Sequence, residues 1–100
     1  MVKRLDPKDR KALILDAAIK VAERKGYMQM ERADIAKQAK VSPARVSQLF
    51  ETMPQLRRAV MRYAVHTENY TVIVQGLSIK DKQALKAPEE VRIAAVAAIL

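Results

Sequence analysis

The sequence predicts an all-α fold, a compact helical bundle with a helix-turn-helix. Three observations predict it. Apolar residues recur at helical spacing in successive stretches of a 100-residue chain that is half apolar. Each of the four prolines stands where such a stretch begins. The one β-branched run, Thr71-Val72-Ile73-Val74, has no second run with which to pair.

Asp6-Pro7-Lys8-Asp9 reads as the first helix start: Asp6 caps, Pro7 suits the first turn, and Asp9 puts a negative charge near the positive helix end. Leu13, Ile14, Ala17, Ala18, Val21 and Ala22 then form one apolar stripe. Gly26 ends the helix in a left-handed conformation. Residues 27–30 form a short connection whose large side chains fill gaps in the core. A second helix over 31–39 buries Ile35, Ala36 and Ala39. Ser42 caps a third helix with Pro43 at its first position, and Val46, Leu49 and Phe50 face inward. Only residues 40–42 separate these two helices, so they cross steeply.

Pro54 opens a fourth helix, along which Leu56, Ala59, Val60, Tyr63 and Ala64 follow i, i+3, i+4, i+7, i+8. The β-branched run at 71–74 reads as its last turns, with a stop at Gly76. Ser78 with Asp81 three residues on resembles a capping box, starting a short helix to about residue 86. Ala87-Pro88-Glu89-Glu90 is a fresh helix start. Residues 91–100 are apolar on nearly every side. The expected organisation is a helix-turn-helix part at 1–64 and a helical dimerisation part at 65–100, packed as one small domain.

The formal net charge of +8 is unevenly placed. Residues 1–62 carry 15 Lys or Arg against 7 Asp or Glu, and residues 63–100 carry 4 against 4. A basic block joined to a neutral one implies a polyanion-binding part and a part with another task. There is no cysteine, so no disulfide framework and no thiolate metal site, which agrees with a reducing cytoplasm. No apolar run approaches the roughly 20 residues that span a bilayer, so no membrane partner is expected. No cofactor is expected either. With only Gly26 and Gly76 there is no glycine-rich phosphate loop, and no nucleophile–His–acid set or metal spacing is present, which argues against an enzyme. His66, the single histidine, reads as a structural or surface residue, and Glu89-Glu90 as a helix start rather than a catalytic pair.

The segment Ala33-Asp34-Ile35-Ala36-Lys37-Gln38-Ala39-Lys40-Val41-Ser42-Pro43-Ala44-Arg45-Val46-Ser47-Gln48-Leu49-Phe50 has the spacing of a helix-turn-helix. Ala36 is small where the helices cross, Val41 offers an apolar plug for the turn, and Val46 points inward. Pro43, Ala44, Arg45, Ser47 and Gln48 keep the other face polar or small, as contact with base edges and phosphates requires. Arg45 suits guanine and Gln48 adenine, since each can hold its base bidentately, although either can also reach phosphate or water. Ser42 caps, and a helix N-terminus also attracts phosphate. Lys40 in the turn, and Arg57 and Arg58 early in the fourth helix, are further backbone candidates. Lys3, Arg4, Lys8, Arg10 and Lys11 are candidates for a basic arm. A solvated surface role fits these cations equally well.

From Ile14-Leu15-Asp16-Ala17-Ala18 through Gly26-Tyr27 to Phe50, without a gap after Gly26, the chain resembles the N-terminal DNA-binding domain of TetR-family regulators. The resemblance covers roughly residues 11–64, with residues 56–60 on the family's fourth, connecting helix. It implies double-stranded DNA as partner and a repressor-like role in transcription regulation, while the all-round apolarity of residues 91–100 implies a homodimer. Three positions depart from the family: Lys40 replaces the usual turn glycine, Ser47 the usual tyrosine, and Arg32 a usually apolar residue. Only about 36 residues follow the fourth helix, enough for a small dimerisation element but scarcely for a roomy inducer pocket. A reduced regulator of phage or plasmid type, or a truncated chain, fits that length. The expected dimerisation residues are Tyr70, Val91, Ala95, Ala98 and Ile99. A non-specific DNA coater and a helix-turn-helix adaptor for a protein partner remain open beside the sequence-specific regulator.

Overall fold

The computed structural model describes residues 7–100, and among them it has seven helices and no strand. They are α1 (Pro7–Lys25), α2 (Arg32–Ala39), α3 (Pro43–Leu49), α4 (Met53–His66), α5 (Tyr70–Ser78), α6 (Lys82–Leu85) and α7 (Glu89–Ala98). The cap expected of Asp6 and the arm residues Lys3 and Arg4 lie outside the described residues.

The long helix α1 is the spine, packing against α2, α3, α4 and α5. Its buried face is Ile14, Ala17, Ala18, Val21 and Ala22, joined by Ile19. Leu13, expected on this stripe, is 52 % exposed. It lies one residue before Ile14, about 100° around the helix, and shares the outer face with Asp16 and Lys20 at i+3 and i+7. Gly26 closes α1 at φ 107°, its N–H donating to the Ala22 carbonyl. In the connection that follows, Tyr27 and Met30 fill the core while Met28 stays half-exposed.

Three helices end alike, and none of them uses glycine. After α2, Lys40 is left-handed; its N–H donates to Lys37 O and that of Val41 to Ala36 O. After α4, Glu68 is left-handed; its N–H donates to Val65 O and that of Asn69 to Ala64 O. After α5, Lys80 is left-handed; its N–H donates to Leu77 O and that of Asp81 to Gly76 O. Each pair of bonds satisfies carbonyls that the helix end would otherwise strand.

The second of these turns corrects the expected long fourth helix. It stops at His66, and the β-branched run belongs to a separate helix, α5, whose N-cap Asn69 accepts from the N–H of Val72. Gly76 does not stop this helix either. It sits inside α5, where an added Cβ would stand 2.4 Å from Met61 Cε and 2.9 Å from Ala84 Cβ, so it permits close approach to α4 and α6. The cap of α6 is Asp81, which accepts from the N–H groups of Gln83 and Ala84; Ser78, expected to start that helix, is the last residue of α5. Helix α7 starts after Pro88 as expected.

One core runs through the molecule, from Ile14 and Val21 on α1 through Ile35, Val46 and Leu56 to Ile73 on α5 and Ala95 on α7. Tyr27 ties its two ends together. Its backbone N–H donates to Gln75 Oε1 at 2.6 Å, and its hydroxyl donates to Arg57 O at 2.8 Å and lies 3.2 Å from Asp81 Oδ2. Burial, followed by the Asp81 carboxylate, raises the Tyr27 hydroxyl well above the usual tyrosine range.

Candidate nucleic-acid interface

Helix α3 is two turns long and is held by what surrounds it. Ser42 Oγ accepts from the Arg45 N–H at 3.2 Å, and Pro43 opens the helix. Val46 is fully buried, Leu49 is half-buried and Phe50 closes the far end inside the core. Lys11 on α1 sets its ammonium 5.9 Å from the Phe50 ring centroid, a favourable cation–π placement. Ala36 is buried beneath the crossing of α2 and α3, as its size requires. Val41 is not the expected plug: it is 36 % exposed. The turn is closed by the main-chain bonds around left-handed Lys40, which direct the Val41 N–H inward and leave its side chain at the rim.

The opposite face of α3 is open to solvent. Ser42, Pro43, Ala44, Arg45 and Gln48 are exposed, as is Lys40 beside them. Ser47 is not part of that open face. Its hydroxyl accepts from Arg32 Nη1 at 2.9 Å and donates to Pro43 O at 3.2 Å, so its single proton and one lone pair are committed. Arg32 Nη2 also donates to Glu51 O at 3.3 Å, while its Nε is buried with no partner among the described residues. Sequence reasoning marked Arg32 as unusual and gave it no task, because both of its partners lie 15 or more residues away along the chain.

Helix α2 is also anchored by charge at its N-terminal end. Asp34 Oδ2 accepts from the Glu31 N–H and pairs with Lys25 Nζ at 2.9 Å. The bond from Lys25 holds the Asp34 carboxyl below the ordinary carboxylate range. Arg24 Nη1 adds a bond to Gln38 Oε1 at 3.3 Å. At the start of α4, Thr52 Oγ1 accepts from the Gln55 N–H, and Arg58 is exposed. Arg57 is half-buried with its Nε enclosed and unpartnered, turned partly into the cleft near Tyr27 and Asp81.

Of the expected dimerisation residues, Ala98 and Ile99 are exposed, and Tyr70 and Val91 are half-buried against the chain's own core. Ala95 is 0 % exposed. It is the residue of α7 that seats on the core beside α5, so it is not available to a second subunit.

Two packed helices on a common core, joined by a tight turn and with an exposed polar face on the second, have the arrangement of a helix-turn-helix DNA-binding domain. Residues 14–60 match the family model described as bacterial regulatory proteins, tetR family. The match supports reading this segment as a TetR-family-like N-terminal helix-turn-helix DNA-binding domain. No curated protein matches the chain. Among the described residues, no helix is long and apolar enough to cross a membrane.

Proposed function

We propose that the protein is a sequence-specific transcriptional regulator, repressor-like, that binds a two-fold site in double-stranded DNA as a homodimer and enters the major groove with α3. The observation that carries this reading is the exposed face of α3, where Arg45 and Gln48 stand free beside a committed Ser47. Arginine and glutamine are side chains that can select guanine and adenine. Lys40 and Arg58 supply exposed charge for the phosphates, within the part of the chain that holds the whole basic excess. The dimer is supported by the outer face of α7: Ile93 is 61 % and Leu100 98 % exposed, and with Leu77, Val96 and Ala97 they line a mostly apolar groove flanked by Glu89 and Arg92. Ala98 and Ile99 are exposed as well, and Tyr70 and Val91 are half-buried.

The test is selection of bound fragments from a random duplex library, followed by binding under rising salt. The expected result is one recovered motif with two-fold symmetry and affinity that falls steeply with salt, as several neutralised phosphates require. Binding without a recovered motif supports a non-specific coater instead. Absence of binding at low salt overturns the DNA reading of the whole chain.

A further inference from the structure

We propose that Arg32 is the positioning residue for base reading: it fixes how α3 is presented to DNA. This rests on the reading of α3 as the recognition helix. From the first turn of α2, the guanidinium bridges two points of α3 and its exit, Ser47 Oγ at 2.9 Å and Glu51 O at 3.3 Å. Ser47 relays the contact to Pro43 O at 3.2 Å, so one chain of bonds runs from α2 to the first turn of α3.

Helix α3 needs such a brace. It has seven residues, too few to be stable alone, and along its length only Val46 is fully buried. Val46, half-buried Leu49 and Phe50 just past the helix end anchor α3 from its core side only, so the setting of its outer side depends on other bonds. Side-chain tips stand about 6 Å from the axis, so a rotation of about 20° moves them about 2 Å. Bidentate hydrogen bonds to a base tolerate a few tenths of an ångström. Arg45 and Gln48 flank Ser47 in sequence at two residues and one, so the restraint acts where base contact is made.

The arrangement is also poorly suited to stability alone. It leaves Arg32 Nε buried without a partner, a desolvation cost that an aliphatic side chain at the same place would not carry. The arginine at this place serves geometry: its planar fork meets two acceptors at once, which lysine lacks.

The experiment compares the full chain with Arg32→Met, Arg32→Lys, Ser47→Ala and the double variant Arg32→Met/Ser47→Ala. Each is titrated with the duplex recovered by library selection and with a scrambled duplex of equal length, and each is melted. The expected result is a fall of about tenfold in the ratio of the two affinities for every variant. The double variant should be no worse than either single one. The melting temperature of Arg32→Met should be unchanged or raised. Arg32→Lys keeps the charge, so its loss of the ratio separates positioning from a plain phosphate contact. Equal loss on both duplexes, a ratio retained by Arg32→Lys, or additive losses in the double variant would each overturn the proposal. A wild-type chain that prefers no duplex refutes the recognition-helix reading itself. A preference kept by all four variants refutes only the role of Arg32.

Discussion

Lys40 shows how a single residue can trade stability for charge. At φ 60°, ψ 42° its Cβ crowds the main chain, which costs an L-residue about 1–2 kcal/mol. Glycine would make the same two turn bonds without the clash, against a larger loss of freedom on folding. Lys40→Gly is therefore expected to stabilise the protein by about 0.5–1 kcal/mol, read as a shift in the urea midpoint at constant slope. The same change removes an exposed cation from the turn, so it should weaken binding to all duplexes alike and make the salt dependence shallower by about one unit. Arg45 and Gln48 are expected to behave differently. Arg45→Ala and Gln48→Ala should each cost about 1–3 kcal/mol on the preferred duplex and relax selection at one base position, whereas Arg58→Ala weakens every sequence equally. Competition against scrambled DNA tells these apart; equal losses for Arg45→Ala would assign that side chain to the backbone. The open face of α3 was legible in the sequence, because a two-turn helix with Val46 inward leaves 44, 45 and 48 outward. The commitment of Ser47 was not legible, since it depends on a guanidinium brought from another helix.

At the scale of elements, the sequence marks helix starts better than helix ends. Ser42-Pro43, Pro54 and Pro88 signal starts that the structure keeps within one residue. The end of α4 carries no glycine: a left-handed Glu68 and the cap Asn69 make the break, and two helices read as one. The glycine that does occur nearby, Gly76, looks like a stop but serves packing. Gly76→Ala should raise helix propensity by up to about 1 kcal/mol, yet it pushes a methyl against the fully buried Met61 and against Ala84. Overpacking of this kind costs about 1–3 kcal/mol, so a net loss in thermal stability is expected; a gain would mean that Met61 yields freely. Tyr27 joins the loop after α1 to α4, α5 and α6, and its hydroxyl is held neutral. A folded-state pKa raised above the unfolded value of about 10 gives stability that is complete below pH 10 and is lost as pH climbs toward the folded value. Melting temperature should accordingly fall from pH 10 upward. Tyr27→Phe should lose about 1–2 kcal/mol at neutral pH and show a gentler alkaline decline. The decline left in that variant has the same sign at Tyr63, whose hydroxyl is raised first by its bond to Asp16.

For the whole molecule, the open question in the sequence was what covers the apolar C-terminal segment. Helix α7 divides that task. Ala95, with Val91 beside it, packs into the chain's own core, which periodicity alone could not separate from the rest of an almost wholly apolar helix. The outer face keeps Ile93 at 61 % and Ile99 at 60 % exposed, beside Val96 and Leu100. An apolar face of this kind on a small domain is a site for association. Closed two-fold pairing would bury it and set two copies of α3 toward successive major grooves, about 34 Å apart. Deleting α7 is a poor test, because loss of Ala95 would also strip α5 of its cover. Charge placed on the outer face alone is a cleaner one. Ile93→Glu and Ile99→Glu change exposed side chains, so each variant should keep its helical signal and melt near the wild type. Each is expected to run as a monomer in light scattering at micromolar concentration, and the wild type as a dimer. Binding to a full two-fold site should then drop toward the affinity for a half-site, since two linked contacts become one. A wild-type monomer, or variants that remain dimeric, would remove the outer face of α7 from the subunit interface.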